Sequence, residues 1–108
     1  MPFANRWAAL QASLRAGTVI PNWTQATGRV GEAFTVSEVA PEFIEVNAPR
    51  ASNIQRVSRT DFEAVYDEWP GYMSGHTRRP EIRDKTRFSK YVISILHWLE
   101  LRSGGVLP

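Results

Sequence analysis

The chain has 108 residues, 43% of them hydrophobic and 22% charged, with a formal net charge of +2 and no cysteine. That composition suits one ordinary folded domain around a single core, spanning residues 1–108, and excludes a disordered chain, a disulfide framework and thiolate metal sites. No apolar run reaches the roughly 18 residues of a membrane span, and the N-terminus lacks a basic region followed by an apolar one, so a soluble, cytoplasmic protein is expected.

In chain order, Phe3, Trp7, Leu10 and Leu14 recur at helical spacing and predict a helix over residues 2–16, stopped by Gly17. Residues 18–32, rich in Gly, Pro, Asn and Thr, read as an irregular connection. Residues 33–39 and 43–48 are β-branched and aromatic, and the break at Pro41 between them predicts a hairpin. A third short strand is predicted over residues 53–57. Ser58 followed three residues later by Asp61 has the pattern of a capping box, which starts a helix carrying Phe62, Val65, Tyr66 and Trp69 on one face. Pro70 and Gly71 should end or kink it, because proline lacks the amide the next turn needs. A short helix over residues 80–86 and a last one over residues 89–102 follow, with residues 103–108 a loose tail.

These elements predict an α+β fold in which a three-stranded antiparallel sheet packs against three or four helices. The last helix should be central. Phe88, Tyr91, Val92, Ile93, Ile95, Leu96, Trp98, Leu99 and Leu101 surround most of its circumference and leave only Lys90, Ser94 and His97 as a narrow polar stripe. A helix apolar on nearly every side is a buried core helix or a subunit interface, so a homodimer built on it is also expected.

Charge is unevenly placed. Glu32, Glu38, Glu42 and Glu45 fall in a stretch without a base, whereas Arg78, Arg79, Arg83, Lys85, Arg87 and Lys90 crowd a short segment opposed only by Glu81 and Asp84. Eleven of the thirteen basic residues are arginine, whose planar fork of donors suits phosphate and carboxylate. An arginine-rich edge before a helix start, where free amides carry partial positive charge, predicts binding of nucleic acid or another polyanion. The alternative is pairing with the chain's own acids, including Asp61, Glu63, Asp67 and Glu68, each pair contributing under about 1 kcal/mol.

Residues 79–96 resemble the helix-turn-helix of bacterial regulators, with Phe88 and Ser89 at the entry to the second helix and Ile82, Ile93 and Leu96 at buried positions. Arg83 and Arg87 stand where that motif favours a small residue and glycine. The resemblance implies that Arg87, Ser89 and Lys90 approach DNA while Arg78, Arg79 and Arg83 meet phosphates. Through residues 61–66 and 90–96 the whole chain also resembles small bacterial proteins of the kind carried in integron gene cassettes, which implies no particular activity.

A third reading is a small-ligand pocket lined by Trp23, Trp69 and Trp98. Enzymatic readings find little support. His76 and His97 have no carboxylate at metal-ligand spacing, and no phosphate-binding glycine loop occurs. Pro41, Glu42 and Glu45 stand as in some metal nucleases, but the lysine expected after the second acid is missing. No catalytic residue, metal or cofactor is expected.

Overall fold

The computed structural model describes residues 2–49, 51 and 53–102. Helix α1 (Phe3–Ser13) buries Phe3, Trp7 and Leu10, the residues whose spacing predicts it. It ends at Ser13 rather than at residue 16, because Leu14 turns to an extended conformation and seats its side chain in the core. Gly17 follows at φ 96°, a left-handed value that a Cβ would disfavour, and its amide donates to the Val36 carbonyl at 2.7 Å. The turn is thereby tied to the sheet.

The stretch 18–32, expected to be irregular, carries three two-residue strands: β1 (Val19–Ile20), β2 (Trp23–Thr24) and β3 (Gly28–Arg29). Strand β1 joins the main sheet, with Ile20 opposite Phe34 and both fully buried. The sheet therefore has four strands rather than three. Its order is β1, β4 (Phe34–Val39), β5 (Phe43–Asn47) and β6 (Gln55–Ser58), all antiparallel. Two residues are too few to show alternation, so β1 carries no period-2 signal. Strands β2 and β3 form a separate hairpin, with Trp23 opposite Arg29.

Alternation places Phe34, Val36, Ile44, Val46 and Val57 on the buried face of the sheet. On the opposite face Arg56 reaches Glu45 at 2.9 Å and lies 4.1 Å from the centre of the Phe43 ring. Helix α1 is anchored over one end of the sheet, where the Trp7 indole N–H donates to the Pro41 carbonyl at 3.0 Å.

Helix α2 (Arg59–Asp67) begins with the capping box the sequence predicts, Ser58 accepting from the Asp61 amide at 3.2 Å while Asp61 accepts from the Ser58 amide at 3.2 Å. Its axis breaks at Glu68, and α3 (Trp69–Ser74) holds Pro70 in its first turn, where the missing amide costs no hydrogen bond. Short α4 (Arg79–Arg83) and long α5 (Ser89–Arg102) complete the fold.

Helix α5 packs against α1, α2, β1 and β2, and Tyr91, Val92, Ile93, Ile95, Leu96 and Leu99 are buried within this one chain. Most of its apolar circumference is therefore covered by its own chain. The premise for a dimer narrows accordingly, since only Trp98 and Leu101 among its apolar residues keep appreciable exposure. The polar stripe is also covered at its centre, where the Ser94 hydroxyl is buried and accepts from the Trp23 amide at 3.0 Å. A hydroxyl with a backbone donor satisfied is no longer costly to bury. Of the four tryptophans, Trp7 and Trp69 belong to the core, and Trp23 and Trp98 stand half-buried at its edge. No helix among the described residues is long and apolar enough to cross a membrane.

Candidate nucleic-acid interface

Local structure decides which of the arginines face outward. The Arg78 amide donates to the Glu81 carboxylate at 2.6 Å, and fully buried Ile82 pins α4 to the core. Arg78, Arg83, Arg87 and Lys90 are exposed and Arg79 is half-buried. The Arg87 guanidinium lies 4.8 Å from the Phe88 ring centre and the Lys90 ammonium 5.0 Å from that of Tyr91. Such contacts lay the stems along aromatic surface and keep the charged heads in water.

Ser89 does not belong to this edge. It is 2% exposed, so the first turn of α5 turns its serine inward and Lys90 outward. Thr86 and Phe88 are buried as well, and the Thr86 hydroxyl accepts from the Phe88 amide at 3.0 Å. Helices α4 and α5 flank this turn, and the beginning of α5 is covered. The cationic surface is made by side chains, not by a helix end.

Pairing with the chain's own acids takes up little of this charge. Lys85 meets Glu68 at 3.9 Å, whereas Glu42 and Glu45 are engaged by Arg59 and Arg56 on the sheet side. Among the described residues Arg78, Arg79, Arg83, Arg87 and Lys90 make no ion pair. The Nε of Arg79 is buried and has no hydrogen-bond partner. Buried donors are nearly always satisfied in folded proteins, so an orphan at a cationic surface stands out.

The β2–β3 hairpin adds what the sequence did not reveal. It is strapped to α5 by the Trp23–Ser94 bond and to α3 by the Gln25 amide, which donates to the Tyr72 hydroxyl at 3.0 Å. Several clefts border it. One of about 250 Å³ lies between the hairpin and the end of α5, walled by Trp23, Arg29, His97 and Trp98. A second, of about 280 Å³, is bordered by Trp23, Arg79 and Lys90, and a third, of about 270 Å³, by Tyr72, Arg78 and Arg79. Trp23 is shared by the first two and Arg79 by the last two, so the clefts are consecutive. The walls of these three include Arg29, Arg78, Arg79 and Lys90 and no carboxylate, whereas a neighbouring cleft of about 310 Å³ shares Asn22, Gly31 and Lys90 with the second and has Glu32 in its wall.

His97 titrates below its ordinary value of 6.5, first because burial disfavours the charged ring and second because Arg29 repels it. It is thus neutral at neutral pH where it stacks on Trp23. Trp69, expected beside Trp23 and Trp98, is instead in the core, its indole N–H donating to Glu100 at 2.5 Å. The described residues contain no group of three or more His, Cys, Asp or Glu that could hold a metal ion. Nothing in the sequence marks Arg29, because only the fold brings residue 29 beside residues 97 and 98. Comparison with protein families, with curated proteins and with solved structures found no match to this chain.

Proposed function

We propose that the protein binds nucleic acid, or another polyanion, through the edge formed by Arg78, Arg79, Arg83, Arg87 and Lys90. The observation that carries this reading is the absence of ion pairs on these five side chains among the described residues, together with the orphaned Nε of Arg79. Arginines kept only for stability would meet the acids that the same chain supplies. Here Glu42, Glu45 and Glu68 pair with other bases, and Arg78, Arg79 and Lys90 line clefts that a phosphate backbone could follow.

Affinity should fall steeply with salt, because each phosphate contact releases condensed counterions. About four contacts give a log–log slope of about −3.6 on duplex and about −2.8 on single strands. Changing Arg83 and Arg87 together to alanine should remove about half of that slope and weaken all sequences alike. Arg15→Ala should leave it unchanged, since that guanidinium already donates to the Ala12 and Leu14 carbonyls. Undetectable binding to duplex and single strands at low salt would reject the reading.

A further inference from the structure

The cleft between the hairpin and the end of α5 has a character unlike the arginine edge beside it. Four large apolar residues are strongly exposed among those described, and three of them border the clefts along the hairpin: Val19 and Leu101 the first, Val30 the second. Val19 and Leu101 are 58% and 59% exposed, and they flank Trp98 and Trp23, the two half-exposed indoles. Cations accompany them. Arg29 lines the same cleft, and the Arg102 guanidinium lies 4.9 Å from the Trp98 ring centre.

Val19, Leu101 and the ring face of an indole offer a phosphate little, whereas they suit a flat aromatic group. Flat aromatic groups carried on a charged backbone, by contrast, match both halves of the surface. Resting on the polyanion reading above, we infer that the partner is a single-stranded nucleic acid, with one base seated against Trp98 and its backbone running over Lys90, Arg79 and Arg78. In a duplex each base has both faces covered by its neighbours, so it cannot enter such a cleft without unstacking. A single strand lends its bases freely, and stacking on an aromatic side chain is tolerant of sequence because every base has a π-face. The Trp23–His97 stack keeps the cleft's floor in place, since the Trp23 backbone is fixed to Ser94 beneath it.

The test uses the whole chain, a labelled oligo(dT), a duplex of equal length and an abasic strand with the same phosphates, all at low salt. Wild type should prefer oligo(dT) to both other probes. Trp98→Ala should lose about 5- to 150-fold on oligo(dT), the contribution of one stacked base, while its affinity for duplex and abasic strand stays as in wild type. Trp98→Phe, which keeps an aromatic face and guards against a folding defect, should recover most of the loss. Equal binding of single strand and duplex, or an equal loss on all three probes in Trp98→Ala, would overturn the single-strand inference while leaving the polyanion reading intact. Failure to bind any probe would overturn both.

Discussion

The indole of Trp23 and the imidazole of His97 lie face to face, with ring centres 3.6 Å apart and planes within 4° of each other. This stack joins the hairpin to the far end of α5 and places a titratable ring in the joint. Its folded-state pKa is lowered, so between that value and about 6.5 the unfolded chain binds more protons than the folded one. The stabilising contribution is therefore complete above about pH 6.5 and is lost as pH falls through the folded value.

Thermal melts from pH 7.5 to 5.0 should accordingly show the wild type losing more of its melting temperature than His97→Gln over the same span. Parallel curves would show that His97 has the same pKa folded and unfolded. Replacing Arg29 by Gln should move the His97 titration, followed by NMR, upward toward its ordinary value, because the second of its two causes is removed.

Leu96 is fully buried in the middle of the core cluster. Leu96→Ala should cost about 2–5 kcal/mol, the lost transfer energy plus the cavity left behind. Urea unfolding measures it, and a loss under about 1 kcal/mol would be incompatible with the packing of α5.

Arg6 is 7% exposed, and its Nε and Nη1 have no hydrogen-bond partner. Its contacts are a 3.5 Å bond to the Tyr66 hydroxyl and the Tyr66 ring, centred 5.1 Å away. A desolvated guanidinium costs several kcal/mol, and a desolvated cation–π contact returns about 2 kcal/mol or somewhat more. Arg6→Met, which fills similar volume without charge, should leave stability unchanged or raise it by about 1 kcal/mol. A clear loss in urea unfolding would mean that the charge is satisfied in solution.

A Cβ added at Gly71 would collide with the Thr77 hydroxyl, so with threonine at 77 the loop after α3 packs closely over a glycine. The Gly71 carbonyl also accepts from the amides of His76 and Thr77 at 2.9 and 3.0 Å. Gly71→Ala should therefore destabilise the wild type by about 1–3 kcal/mol. In a Thr77→Ala background the obstacle is gone and only the helical preference for alanine remains, so the same change should stabilise by about 0.5–1 kcal/mol. A double-mutant cycle reads this reversal of sign directly. Additive effects would mean that the loop stands away from the helix.

Features encoded within a few neighbouring residues are legible in the sequence. The capping box at Ser58 and Asp61, the β4–β5 hairpin, a helix break close to Pro70 and the apolar girth of α5 all depend on neighbours in the chain. What escapes such a reading depends on partners far away. Strand β1 exists because Ile20 meets Phe34, and the hairpin is held by a bond from Trp23 to Ser94, seventy-one positions apart. Ser89 and Ser94 read as wet because serine is polar, yet one is turned inward and the other is roofed by a backbone amide. The arginine edge is visible as composition. That the hairpin carrying Trp23 and Arg29 lies along the same surface as Arg79 and Trp98 is not, since residues 23–29, 79 and 98 share no sequence neighbourhood.

The central place of α5 also sets a schedule for the molecule's birth. A ribosome makes α1, the sheet, α2, α3 and α4 before it makes the helix on which α1, α2, β1 and β2 pack. Until then Phe34, Val36, Ile44 and Val46 have no ceiling, and Trp23 has neither a serine to donate to nor an imidazole to lie on. The emerging chain therefore carries an uncovered apolar sheet face for the whole interval, a state open to chaperones and prone to misassociation. Arrival of α5 closes the core, fastens the hairpin and shapes the clefts beside it in one event, so the protein cannot acquire those clefts before it acquires its stability.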